Sequence, residues 1–381
     1  MLKPLLTHEI GSLAKPNWRV KAINNVPLND DDIEDAKSWA KFLNIYSEEL
    51  LDILKKKKNF TDEEKKKIIN YSSLFATKLL EKSGIDVVYD GEQHRVEMYE
   101  YPISKIDGFK FYGHVRSFDN KYYKRAVVFK KPKLKEFYHL QEFKTISKFT
   151  EKPIKIPLTG PYTLVDWSFD EFYVKGVEIG TTLGLKNRKL ARKQFINDMA
   201  KEVIYPNLKV LYENGAKFLQ IDEPAATTKR EEIDLFIEGL INSIGDLKGK
   251  VFFSVHICFS DYNLLFPDIE KLEGIINEFH FEYANRDSTE LGTNEKVRKG
   301  YEIIKKLKNY NFVIGLGVID VHTDFIEPPE LIRDRILYVL DIVKDPNKIF
   351  VAPDCGLRTR TWKVAYEKLR NMVLGVNMIK I

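Results

Sequence analysis

The chain has 381 residues, of which 44% are hydrophobic and 31% charged, and its formal net charge is +5. This composition leaves enough apolar material for a full core and argues against a membrane protein. No apolar run approaches the roughly 20 residues that cross a bilayer, and Met1 to Gly11 lacks a signal-peptide pattern, so we expect a cytoplasmic protein.

Eight short runs rich in branched and aromatic residues are predicted as strands: Leu5–Thr7, Ile85–Tyr89, Ile154–Leu158, Ala216–Ile221, Val251–Cys258, Glu278–Tyr283, Phe312–Leu316 and Ile349–Ala352. Helical patterns alternate with the later strands, at Arg230–Ile244, Leu264–Asn277, Glu290–Leu307, Pro329–Val343 and from Trp362 onward. This alternation predicts an α/β fold with a parallel sheet, and eight strands suffice to close a (β/α)₈ TIM barrel.

Two segments depart from the alternation of strands and helices. Residues 30–83 form a long helical excursion with a lysine-rich break near Lys55–Phe60, which predicts extra N-terminal helices. The aromatic and basic stretch Phe109–Lys131 predicts an inserted hairpin within residues 104–140 or so. We therefore predict a single catalytic barrel over residues 1–381 that carries both insertions.

Two lysine runs, Lys55–Lys58 and Lys65–Lys67, raise the question of nucleic-acid binding. Both flank acidic residues in a helical region, and no aromatic residues are interleaved with them. A solvated helix face explains them, so we expect no nucleic-acid partner.

Nearly every predicted strand ends in a polar cluster: Gly11-Ser12, Asp90-Gly91-Glu92, Thr159-Gly160-Pro161, Asp222-Glu223-Pro224, His256-Ile257-Cys258, Glu282, Asp320-Val321-His322 and Asp354-Cys355-Gly356. In barrel enzymes the active site lies at the C-terminal ends of the strands. The convergence of these clusters on one face of the barrel indicates an enzyme.

A metal site is predicted among these strand ends. His256 and Cys258 are two residues apart, so their side chains share one face of the strand and can reach one ion. With Cys355 and Glu282, at the ends of other strands, they make a plausible tetrahedral zinc set. His280 is a competing ligand, although a strand histidine satisfied by its packing partners is the more ordinary interpretation.

Zinc would explain why the chain places these residues together. It stabilises a coordinated thiol as the thiolate, which is the nucleophile for methyl transfer. A weak ligand such as Glu282 could give way to the substrate sulfur. The pattern is thus compatible with zinc-assisted methyl transfer to a small thiol.

The strand-end motifs, in collinear order over nearly the whole chain, resemble the catalytic C-terminal half of cobalamin-independent methionine synthase. The matching segments are Thr7–Ser12, Gly91-Glu92, Gly160–Thr163, Trp167–Phe169, Gln220–Ala225, His256–Cys258, Ser260-Asp261, Glu282, Asp287, Gly317–His322 and Pro353–Leu357. The resemblance implies a TIM barrel with zinc held by His256, Cys258, Glu282 and Cys355.

The same resemblance implies how homocysteine is bound. The backbone of Ile10, Gly11 and Ser12, together with the Ser12 hydroxyl, would hold its carboxylate. Glu92 and Asp222 would accept its ammonium group through charge-assisted hydrogen bonds.

On the methyl-donor side, His322 matches the proton donor to the departing pterin nitrogen, with Asp320 beside it. Trp167 matches the aromatic residue that stacks on the pterin ring. A tertiary amine is a poor leaving group unless it is protonated, so an acid is expected there.

Departures from the family pattern lie on the donor side. An acidic residue used on the pterin is replaced by Thr228, the family's Arg-Cys pair aligns with Arg125-Ala126, and the N-terminal barrel of the full-length form is absent. The donor therefore stays open among a methyl-pterin, a methyl-corrinoid and a folate presented with a partner protein that replaces the missing half.

Three other functions compete with this interpretation. A related zinc methyltransferase could use coenzyme M, but that thiol has no ammonium group for Glu92 and Asp222. A porphyrinogen decarboxylase would need arginines for its carboxylates and no zinc. A zinc- or homocysteine-binding partner without activity would have no use for an acid such as His322.

Overall fold

The computed structural model describes residues 2–116, 122–177 and 180–380. Its strands are β1 Ile106–Arg116, β2 Tyr122–Leu134, β3 Lys155–Thr159, β4 Phe169–Asp170, β5 Phe218–Asp222, β6 Phe252–Ile257, β7 Glu278–Phe281, β8 Val313–Gly317 and β9 Ile349–Ala352. Its α-helices are α1 Asn17–Ile23, α2 Asp30–Leu43, α3 Glu48–Leu54, α4 Asp62–Ser83, α5 Glu100–Ser104, α6 Leu140–Ile146, α7 Pro161–Asp166, α8 Thr182–Met199, α9 Tyr205–Glu213, α10 Ile233–Ile244, α11 Ile304–Leu307, α12 Pro329–Val343 and α13 Trp362–Asn377. No helix within these residues has both the length and the apolar character to span a membrane.

A parallel sheet forms the centre of the molecule, with the strand order β3-β5-β6-β7-β8-β9. Isolated parallel bridges extend it from both edges, between Thr7 and Val351, His8 and Val87, and Val88 and Ile154. The first two predicted strands therefore lie between β9 and β3, in the order expected for a TIM barrel. The predicted α/β barrel fold is confirmed, with the first two strands reduced to single bridges.

The barrel strands are buried, as parallel strands covered by helices must be. Their interior is not wholly apolar. His8 Nε2 lies 3.0 Å from Glu278 Oε1, and Lys155 Nζ lies 2.7 Å from His8 Nδ1. These side chains are at most 3% exposed, so the hydrogen bonds among them offset the cost of burying charge.

The helical excursion and the inserted hairpin lie where the sequence predicts them. Both α2 and α4 begin with a capping box, at Asn29 and Thr61, and the lysine-rich break separates α3 from α4. The hairpin is formed by β1 and β2, which pair antiparallel from Ile106 opposite Leu134. The part of the predicted insertion at residues 117–121 lies outside the described residues.

Two predicted helices are wrong. Leu264–Asn277 contains only short 3₁₀ turns, because Pro267 has no amide hydrogen for a helix and Gly274 adopts φ +70°. Glu290–Leu307 is mostly turns before the short α11. There the buried guanidinium of Arg298 binds the carbonyls of Gly292, Glu290 and Ser288, which a continuous helix would use for its own hydrogen bonds.

Candidate functional site

Three side chains that can bind a metal meet at the C-terminal ends of the barrel strands. His256 is the second-last residue of β6, Cys258 follows that strand, and Cys355 lies shortly after β9. Their ligand atoms all lie within 4.8 Å of one another, with His256 and Cys258 buried. The structure thus brings together a His–Cys–Cys group that can hold a metal ion.

The two cysteines of this group are electrostatically coupled. A hydrogen bond from the Cys258 thiol and the proximity of His256 hold the pKa of Cys355 well below its usual range. The same hydrogen bond, together with burial, raises the pKa of Cys258 well above its usual range. Ionisation of the pair is therefore favoured at Cys355 over Cys258, and the thiolate is the form that binds soft metal ions.

Glu282, the fourth predicted ligand, lies beside this group but outside the set of three. Its Oε2 accepts hydrogen bonds from the backbone N–H of Phe259 at 3.1 Å and from Asn285 Nδ2 at 3.0 Å. Its Oε1 is buried and accepts no hydrogen bond from the described residues. A buried carboxylate oxygen of this kind is costly unless a cation or donor approaches it.

His280, which the sequence allows as a competing ligand, is not a member of the group of three. It pairs with His256 across neighbouring strands, and the two Nδ1 atoms are 2.8 Å apart. Burial holds the pKa of His280 well below its usual value, so the ring is neutral. His280 is therefore the hydrogen-bond partner of His256, whose Nε2 has no nitrogen or oxygen partner among the described residues.

The residues predicted to bind an amino acid gather beside the metal group. A Cβ placed on Gly11 would lie 3.5 Å from Glu92 Oε1, and one placed on Gly356 would lie 2.6 Å from Ser12 Oγ. Gly356 directly follows Cys355, so the Ile10–Ser12 segment borders the metal group. The barrel thus brings Glu92 to the same segment.

Asp222 stands next to His256, because these two residues pair across β5 and β6. Burial raises the pKa of Asp222 to about 6, although the nearby His256 and a hydrogen bond from Gln220 oppose the shift. The carboxylate is therefore mostly ionised at neutral pH and suited to receive a cation.

The residues predicted to act on the methyl donor are His322, Asp320 and Trp167. His322 Nε2 lies 3.9 Å from Glu282 Oε1, and its side chain is 38% exposed at the barrel mouth. The Glu282 carboxylate raises the pKa of His322. Asp320 accepts the backbone N–H of His322 at 2.8 Å and so shapes the loop. Trp167 directly follows α7, and its ring centroid lies 6.2 Å from that of Tyr99.

Two residues that support the site received no role from the sequence. Asp354 accepts the backbone N–H groups of Tyr283, Ala284 and Asn285, and so ties the loop after Glu282 to the strand end that carries Cys355. Gln220 makes hydrogen bonds to both Ile10 and Asp222. Its place two residues before Asp222, on the same strand face, is the signal that could have revealed it.

Comparisons with a family model and with related proteins all indicate one family of enzymes. The family model described as "Cobalamin-independent synthase, Catalytic domain" matches residues 47–377. The methionine synthase of Thermoplasma volcanium is 41% identical over 82% of this chain and 90% of its own length. That of Thermoplasma acidophilum is 34% identical over 98% of each chain.

A solved structure shares the fold. The B12-independent methionine synthase of Shewanella sp. W3-18-1, in complex with selenomethionine, superposes with a TM-score of 0.72 at 22% identity. The match covers 99% of this chain and 98% of the other.

Proposed function

The chain belongs to the family of cobalamin-independent methionine synthases, and from this premise we propose that it makes methionine by methyl transfer to the thiol of homocysteine. We further propose that it depends on zinc and that its methyl donor is a methyl-pterin. The observation that carries the proposal is the His256–Cys258–Cys355 group at the mouth of the barrel.

The residues present fit a zinc ion. An imidazole and two cysteine sulfurs are ligands that zinc prefers, and Glu282 Oε1, which accepts no hydrogen bond from the described residues, offers an oxygen beside them. Bound zinc supplies a Lewis acid that keeps a substrate thiol ionised near neutral pH. His280 would support zinc binding by His256. If the Nδ1–H of His256 points at His280, the Nε2 of His256 keeps its lone pair for the metal.

The neighbouring residues support recognition of an amino acid. Ile10, Gly11 and Ser12 would bind the homocysteine carboxylate, and Glu92 and Asp222 would bind its ammonium group. Both carboxylates are linked to that segment, because Glu92 lies near Gly11 and Asp222 is joined to Ile10 through Gln220. A thiol without an ammonium group, such as coenzyme M, would leave these acids without a cation.

His322 would protonate the pterin nitrogen as the methyl group leaves. Its position supports this role, because the side chain is partly exposed at the barrel mouth while Glu282 and Asp320 favour the protonated ring. The Nε2 proton would pass to the leaving nitrogen, and solvent at the mouth would restore it. Trp167 would stack on the pterin ring, and Asp320 would hold the backbone of the His322 loop.

The donor is the least constrained part of the proposal. Thr228 stands where the family uses an acid on the pterin, and its hydroxyl is engaged by the carbonyl of Ala225 at 2.9 Å. A methyl-corrinoid donor, or a folate presented by a partner protein, is therefore the alternative to a free methyl-pterin.

The test is to supply zinc-loaded protein with homocysteine and, separately, with methyl-pterins and methylcobalamin, and to measure methionine. We expect methionine from a methyl-pterin and none from the Cys258→Ser variant. Preference for methylcobalamin would replace the donor in the proposal, and methylation of coenzyme M but not homocysteine would overturn it. If the purified protein binds no zinc, the proposed function loses its basis.

A further inference from the structure

A single buried side chain joins two parts of the proposed homocysteine site that are distant in the sequence. Gln220 Nε2 lies 2.6 Å from the carbonyl oxygen of Ile10 and 2.7 Å from Asp222 Oδ1. Ile10 begins the segment proposed to hold the carboxylate, and Asp222 is proposed to hold the ammonium group. The residue is 0% exposed, so water does not compete for these bonds.

The orientation of the Gln220 amide follows from its partners. A backbone carbonyl and an ionised carboxylate can only accept, so the atom between them must be the NH₂ group with its two hydrogens. Its Oε1 is buried and accepts no hydrogen bond from the described residues. The side chain is therefore held by the two bonds that its NH₂ group makes.

From this geometry we infer that Gln220 is a positioning residue that sets the distance between the anion-binding and cation-binding parts of the site. The inference rests on the proposed function. Homocysteine carries both charges on one carbon, so it gains from both parts only when they stand at one fixed separation. A thiol that carries a single charge needs only one part and tolerates a change in that separation.

Lys155 supports the same arrangement from the barrel interior. Its ammonium group binds the carbonyl of Glu9, the residue before Ile10, and it contacts His8 Nδ1 at 2.7 Å. Consecutive carbonyls of this segment are thus bound by buried donors from β3 and β5. Because the donors come from barrel strands, the segment takes its position from the barrel itself.

The test compares three thiols on zinc-loaded wild-type protein and the Gln220→Met variant by calorimetry. Homocysteine carries both charges, mercaptobutyrate lacks the ammonium group, and aminopropanethiol lacks the carboxylate. We expect the variant to weaken homocysteine binding about tenfold or more, as loss of a buried hydrogen bond to a charged group does. Binding of either singly charged thiol should change by less than about threefold.

Steady-state kinetics and metal content complete the test. The KM for homocysteine should rise while kcat changes little, and the zinc content should stay at the wild-type level. Asn207→Leu is the matched control, because it removes a buried amide of α9 that donates to the carbonyl of Val203 and accepts from the backbone N–H of Tyr138. It should leave the binding of all three thiols unchanged.

The outcomes separate the inference from the proposed function. If wild-type protein binds zinc but not homocysteine, the proposed function fails and the inference with it. If wild-type protein binds homocysteine and Gln220→Met weakens all three thiols equally, or none, the inference alone is overturned. Should Gln220→Met fail to fold, Gln220→Asn keeps the amide but is one methylene too short to reach both partners, and it should give the same selective loss.

Discussion

The Nδ1 atoms of His256 and His280 lie 2.8 Å apart in the buried interior below the metal group. Only one of two nitrogens at this distance can carry the shared proton. If His256 binds zinc through Nε2, its Nδ1 must be the donor and His280 must be the neutral acceptor. The low pKa that burial gives His280 agrees with that assignment.

Replacing His280 should therefore weaken zinc binding although His280 is not proposed as a ligand. We expect His280→Leu to lower zinc affinity about 10–100-fold, as loss of such a supporting partner does. Competition with a chromophoric chelator measures this affinity. His139→Asn, at another buried histidine, should leave it unchanged, and equal zinc affinity in His280→Leu and wild type would contradict the tautomer assignment.

Replacing His322 should affect the transfer step rather than binding. We expect His322→Asn to lower kcat with a methyl-pterin donor about 100-fold or more, because a general acid contributes about 10²–10⁴-fold. Zinc content and homocysteine affinity should stay at wild-type values. A corrinoid leaves without protonation, so turnover with methylcobalamin should change little, and loss of homocysteine binding would refute the assigned role.

Gly160 is required because Glu223 occupies the space where a side chain would be. A Cβ there would lie 2.2 Å from Glu223 Oε1, and that carboxylate accepts the backbone N–H groups of Tyr162 and Thr163. We expect Gly160→Ala to lower the free energy of unfolding by about 1–3 kcal/mol in urea titrations. Gly249→Ala, where φ is +73° and the added Cβ meets nothing within 4 Å, measures the cost of left-handed backbone strain without a clash, about 1 kcal/mol.

Asp86 should make stability depend on acid pH. Partial burial favours its neutral form, but hydrogen bonds from the Thr7 N–H and hydroxyl and from Lys3 outweigh it, so its pKa lies below the usual value. A lowered carboxyl pKa stabilises the fold above the unfolded value near 4, and that stability is lost as the pH falls through the folded pKa.

The corresponding experiment is acid unfolding of Asp86→Asn. At neutral pH the variant should be less stable by about 1 kcal/mol, since one charged hydrogen-bond partner is lost. The difference from wild type should shrink as the pH falls below about 4. Asp52→Asn, in an exposed ion pair, is the control that should follow wild type throughout; a gap that persists at low pH would show that the Asp86 charge is not its cause.

Local signals explain which elements the sequence predicts well. The six later barrel strands, together with α12 and α13, agree with the prediction within about two residues, because buried strands and amphipathic helices leave clear periodic patterns. The helix α10 begins three residues later than predicted, after a 3₁₀ turn at Arg230–Glu232. The predicted Leu264–Asn277 helix fails because of Pro267 and Gly274, and the predicted Glu290–Leu307 helix fails because of one buried side chain. The buried Arg298 pairs with Asp287 and takes the carbonyls of its own segment, which periodicity alone does not reveal.

The sequence by itself determined the barrel class, the family and the candidate chemical groups, because polar residues at strand ends and the spacing of His256 and Cys258 are local properties. Only the tertiary structure decided how those groups are supported. It turned His280 from a competing ligand into the partner of His256, left Glu282 outside the group of three, and joined Gln220 to Ile10. Hydrogen bonds between residues more than 200 positions apart depend on how the strands close into a ring, and that closure is a property of the packed barrel rather than of any segment.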